Sequence, residues 1–158
     1  REAVNLAITM AGVVATWSGI MKIAEKGGMI STLSNRFSPV LHFLFPEIPK
    51  KSKAMQYISA NFIANFLGLG WAATPAGILA MKELQKYNKK KDTASNAMCI
   101  FMIINMSSLQ LVTINILAYR AQYGSTNPGE IIGPGIIATL FSTIIGVFVG
   151  KLLERRCK

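Results

Sequence analysis

The charged residues of this chain leave four long gaps. No Asp, Glu, Lys, Arg or His occurs in residues 3–21, 54–81, 93–119 or 131–150, runs of 19, 28, 27 and 20 residues. A helix needs about 20 apolar residues to cross a bilayer core, and soluble folds seldom leave such lengths uncharged. Polar residues dilute all four runs, so they read as helices packed on one another and not as isolated anchors. The 158 residues fit one domain, 1–158. Because the sequence opens on Arg1 and not Met, an upstream segment is expected to be missing from it.

The balance of 17 Lys+Arg against 7 Asp+Glu, a net charge of +10, also occurs in nucleic-acid-binding proteins. Those cluster their cations on a soluble face, often among aromatics. Here the cations flank the apolar runs, so membrane lipids are the expected partner and nucleic acid is not. Cys99 and Cys157 make neither a disulfide framework nor a metal site, and read as a packed thiol and a tail thiol. Residues 3–21 do not read as a secretory signal, because they end at Lys22 without a clear cleavage site.

Counted loop by loop, the charge becomes a statement about topology. Six basic residues lie in 22–53, five in 82–92, four in 151–158, and Arg1 and Arg120 stand alone. If all four runs cross, the two faces carry seven and ten, which orients nothing. If 54–81 enters and returns, fifteen lie on one face and two on the other. Cytoplasmic loops are the basic ones, so the second arrangement is expected, with the loops and C-terminus cytoplasmic in a multi-pass protein of the cell (inner) membrane.

Residues 68–77 support that arrangement locally. Gly68, Gly70, Pro75 and Gly77 weaken any straight helix there, and Pro75 has no amide to donate. Half-helices of about 13 and 10 residues would reach roughly 20 and 15 Å. The reading is a re-entrant helix pair at 54–81, with a single broken crossing helix as the rival. Residues 29–45 suit an amphipathic segment at the interface, bent at Pro39. Asp92 is expected to cap 93–119, and Asn127-Pro128-Gly129-Glu130 resembles a capping box opening the last span. Small residues recur at four-residue spacing at Ala7, Ala11, Ala15 and Gly19, and again at Ala138, Ser142, Gly146 and Gly150. Such ridges pack helices closely, within the chain or in a homo- or hetero-oligomer.

Chemistry is scarce. With no ionisable group inside the runs, no carboxylate relay is evident. His42 has no constellation around it and reads as interfacial packing. Ser107 and Ser108 lack a base. Neither an enzyme, a cofactor nor a metal is expected. What remains is amide and hydroxyl: Asn61 and Asn65 share one helical face, Asn105 and Ser108 another, and Thr74 stands at the break. In hydrocarbon these groups must bond one another or line a wet cavity. They are either interhelical glue or a site for a small polar solute beside the helix break.

Five runs then occur in a telling order: Trp17-Ser-Gly-Ile-Met-Lys-Ile-Ala-Glu25, Leu44-Phe-Pro-Glu-Ile-Pro-Lys50, Asn65-Phe-Leu-Gly-Leu-Gly-Trp-Ala-Ala-Thr-Pro75, Asn105-Met-Ser-Ser108 and Glu130-Ile-Ile-Gly-Pro134. Together they closely resemble the spore maturation protein A family, membrane proteins of the nucleoside-recognition or gate domain type, over essentially the whole chain. The resemblance implies a role in spore core dehydration alongside spore maturation protein B. The gate name implies likeness to part of concentrative nucleoside transporters, so recognition or passage of a nucleoside is an expectation at second remove. The alternative is a structural membrane subunit that assembles with spore maturation protein B. Two positions depart from the family pattern: Trp71 stands where Asn is usual, and Leu109 begins a run where Pro is usual.

The sequence therefore predicts an all-α integral membrane bundle, a single gate-type domain. Its solute-binding or gate candidates are Asn61, Asn65, Gly68, Gly70, Trp71, Thr74, Pro75, Asn105, Ser107 and Ser108. Its helix-packing candidates are Ala11, Ala15, Gly19, Ser142, Gly146 and Gly150.

Overall fold

The computed structural model describes residues 2–68, 70–107, 110 and 113–156. They are all-helical, without strands: α1 (Glu2–Lys26), α2 (Met29–Leu44), α3 (Lys53–Phe66), α4 (Gly70–Tyr87), α5 (Asn96–Ser107), α6 (Ile114–Gln122) and α7 (Ile132–Arg156), the last preceded by a 3₁₀ turn at Pro128–Ile131.

Local chemistry accounts for the boundaries. Gly28 adopts φ 79° between α1 and α2, a left-handed conformation that glycine takes without a side-chain penalty. The elbow Pro46–Pro49 turns the chain into α3, where Ser52 Oγ accepts the Met55 N–H at 3.2 Å as an N-cap. α5 is capped the same way, by Ser95 Oγ and the Met98 N–H at 3.3 Å. The expected cap, Asp92, lies upstream and instead accepts the Thr93 hydroxyl. Nor does Asn127 cap the last helix: its side-chain amide donates to Glu130 Oε1 at 3.3 Å, so the two polar groups satisfy each other, with Pro128 opening the 3₁₀ turn.

α3 and α4 form the most extensively packed helix pair, joined by a short turn in which Gly68 takes φ 77°. α3 ends at Phe66 and α4 begins at Gly70, so Thr74 and Pro75 stand inside α4 and not at the break. Pro75 is the sixth residue of α4, where it removes one intrahelical bond near the N-terminus and does not end the helix. The arms are accordingly 14 and 18 residues long, about 21 and 27 Å, and longer than the sequence implied because α4 continues past Lys82 to Tyr87.

A second break was not expected. The run 93–119, read as one span, divides into α5 and α6 between Ser107 and Ile114. At the end of α5, Asn105 Nδ2 donates to Phe101 O at 2.8 Å and Ser107 Oγ to Ile104 O at 3.1 Å. Such bonds draw the carbonyls of the last turns away from the backbone ladder.

The core gathers where α2, the elbow, α3, α4 and α5 meet, around Leu41, Phe45, Ile48, Ile58, Leu84 and Ile100. Phe37 of α2 sits edge-on to Phe62 and Phe66 of α3, with ring centroids 5.2 and 5.1 Å apart. The 29–45 segment is thus a helix docked on α3. α7 packs on α5: a side chain at Gly150 would begin 2.9 Å from the Cδ1 atoms of Ile100 and Ile103, and one at Gly146 would begin 3.1 Å from Ile103 Cγ2. Ser142 is exposed, as are Ala11, Ala15 and Gly19 of α1, and nothing lies within 4 Å of where a Gly19 side chain would start. Cys99 is also exposed, not packed.

Large apolar side chains also face outward. Asn61 is 3% exposed, whereas Ile78 is 53%, Phe141 61% and Phe148 63% exposed. Among the described residues, Pro128–Glu154 is the stretch long and apolar enough to cross a membrane.

Candidate functional site

The three asparagines singled out in the sequence meet between α3, α4 and α5. Asn61 lies on the face of α3 turned to α4, where its side-chain amide donates to the Ala73 carbonyl at 2.9 Å. That approach requires Gly77, since a Cβ there would stand 2.9 Å from Asn61 Nδ2. One turn further along α3, Asn65 Nδ2 donates to Asn105 Oδ1 at 2.9 Å and to Asn61 Oδ1 at 3.4 Å. Asn105 in turn donates to its own helix at Phe101 O.

The result is a directional chain of amides, with one proton of Asn65 spent on each neighbour. Asn65 Oδ1 and the second amide proton of Asn105 take no part in these bonds. All three residues line a cavity of about 480 Å³ open at one side, a volume in the range of small-molecule sites. Thr74, Gly77, Ile78, Met81 and Lys82 line its α4 wall, and Phe101 and Met102 its α5 wall. The amides therefore bond one another and also face a cavity.

The remaining candidates fall elsewhere. Gly68 makes the α3–α4 turn and Gly70 starts α4. Pro75 is exposed on α4, and Ser107 bonds back to its own helix. Ser108 and the side chain of Trp71 lie outside the described residues. His42 is half-buried on α2, with Nδ1 shielded and unpaired among the described residues.

Of the lining residues, the sequence singles out the polar Asn61, Asn65, Thr74 and Asn105 as site candidates but not Ala73, Gly77, Ile78, Met81, Lys82, Phe101 or Met102. Gly77 reads from the sequence as a helix weakener, and Lys82 as the first loop residue because the runs are divided at charges. The available signal was spacing: Thr74, Ile78 and Lys82 recur every four residues and share one face of a helix that runs on.

Comparison with known proteins bears on this arrangement through the whole chain. It is 39% identical over all 158 residues to Spore maturation protein A of Bacillus subtilis (strain 168), and it covers 81% of that protein. The chain belongs to the spore maturation protein A family. No model of a known protein family matches it, and no solved structure does. Within this spore maturation protein A family member, the Asn61–Asn65–Asn105 cluster ties the last turn of α3 to that of α5 through side-chain bonds.

Proposed function

We propose that the protein is an integral membrane component of bacterial spore maturation whose paired helix breaks form a recognition or passage site for a small polar solute. The observation that carries the reading is the amide cluster opening on a cavity, within a chain whose outward faces are apolar. Buried amides are costly in hydrocarbon unless they are bonded, and those with spare capacity beside a cavity are suited to hold a neutral polar group. The gate-domain likeness inferred from the sequence is consistent with this use.

The topology that fits has α1 and α7 crossing, the α3–α4 hairpin entering and returning, and α5 with α6 sharing one crossing. End to end, the 12 residues of α5 and 9 of α6 reach about 18 and 14 Å, together close to a hydrocarbon core of about 30 Å. The basic loops and C-terminus then face the cytoplasm.

The test is Asn65→Leu and Asn105→Leu in a sporulating strain, reading membrane abundance and the water content of the spore core. Normal abundance with wetter spore cores supports a solute site. Normal core water at normal abundance refutes it, and loss of co-purifying spore maturation protein B favours the second reading, a structural subunit that assembles with that protein. One observation favours that second reading: Ala11, Ala15 and Gly19 are exposed on α1, leaving a small-residue ridge open to a partner helix.

A further inference from the structure

The cavity has two chemically different ends. Its α4 wall runs from Ala73 to Lys82, and the residues facing it (Thr74, Ile78, Lys82 and their neighbours) form one stripe about 12 Å long at 1.5 Å per residue. The amides gather at the Ala73 end, where Asn61 bonds its carbonyl. Lys82 lines the other, and the walls between carry Ile78, Met81, Phe101 and Met102.

Lys82 is also uncompensated. Its neighbour Glu83 is held by Lys86 at 2.6 Å, Glu154 by Lys151 at 2.9 Å, and Glu130 faces Arg120 at 3.9 Å. None of the ion pairs or side-chain hydrogen bonds among the described residues includes the Lys82 ammonium. Lys82 is exposed at the rim of this open pocket, so its ammonium is accessible to an anion held there.

Building on the solute-site reading, we infer that the solute is elongated and anionic. Its neutral hydrogen-bonding end meets Asn65 and Asn105, its apolar middle crosses the Met and Phe walls, and a carboxylate or phosphate pairs with Lys82. Charge at one end and amide recognition at the other fix the orientation in which the solute enters.

A matched pair of probes tests this. The full chain, purified in an uncharged detergent, is titrated calorimetrically with 8-acetamidooctanoate and with its methyl ester, in which the charge is removed and one methyl group is added. The acid is expected to bind at least about tenfold more tightly, a difference of about 1.4 kcal/mol. Lys82→Gln should erase that preference, Lys89→Gln on the exposed loop should preserve it, and Asn65→Leu should weaken acid and ester alike. Equal binding of acid and ester, with both weakened by Asn65→Leu, overturns the anionic solute but leaves the solute site standing. Binding of neither overturns both. If added phosphatidylglycerol displaces the acid from the wild-type protein but not from Lys82→Gln, the anion is a lipid headgroup, and the soluble-solute assignment falls.

Discussion

Asn65 and Asn105 are 40 residues apart in sequence, yet the amide of one meets the carbonyl oxygen of the other at 2.9 Å. The bond joins the last turn of α3 to the last turns of α5. Replacing Asn65 by Leu leaves Asn105 Oδ1 and Asn61 Oδ1 without their donor, at an expected loss of about 1–3 kcal/mol for the groups left unsatisfied. A double-mutant cycle with Asn105→Leu, followed by unfolding in detergent, should return a coupling of about 0.6–1.7 kcal/mol, the span found for interhelical bonds in a membrane. Zero coupling would mean that the two side chains do not meet.

Gly77 carries the next prediction. A methyl group there would stand 2.9 Å from Asn61 Nδ2, so Gly77→Ala must displace the amide that bonds Ala73 O. Destabilisation of about 1–3 kcal/mol is expected, the usual cost of overpacking. Adding Asn61→Ala to Gly77→Ala removes the colliding group, and part of the loss should return. Thermal unfolding of the two single variants and the double variant measures this.

Glycines of the outer helices should diverge. Gly150→Ala meets Ile100 and Ile103 at 2.9 Å and should weaken the α5–α7 contact, with Ile103→Ala relieving the crowding. Gly19→Ala meets nothing within 4 Å and should be neutral or stabilising by up to about 1 kcal/mol from helix propensity alone. If Gly19→Ala instead lowers the recovery of a co-purifying membrane partner while raising the melting temperature, the α1 ridge is a partner surface.

Topology can be read by thiol labelling in intact cells. Single cysteines at Lys51 and Lys89, in a background lacking Cys99 and Cys157, should react from the same side of the membrane. Labelling from opposite sides would sink the re-entrant hairpin.

Residues 67–69 show what was legible beforehand. Glycine at 68 and 70 marks a break because only glycine takes a positive φ without strain, and Gly68 does so. Pro75 misled, since proline near the start of a helix costs one bond and need not end it. The second break had no such marker: no Gly or Pro lies between Asn105 and Ala118. Asn105 and Ser107 bond their own helix backbone there, a competition that composition does not reveal. The Pro usual in the family just after Ser108 was the available hint. Of the site, the asparagines were legible because uncharged amides inside apolar runs demand partners. Lys82 was not, because dividing the chain at its charges hides a cation that belongs to a helix.

Asn88 braces the basic turn that follows α4. This buried residue donates to Thr93 O at 2.7 Å and accepts from the Lys90 N–H at 3.2 Å, while Gln85 reaches Lys91 O at 2.9 Å. Lys89, Lys90 and Lys91 therefore ride on a turn braced from within. Against an anionic leaflet, where each cation near the surface contributes about 1 kcal/mol of attraction, such a turn acts as a keel. In the proposed re-entrant topology this turn would set how deep the tip of the α3–α4 hairpin sinks, and so the height of the cavity relative to the headgroups.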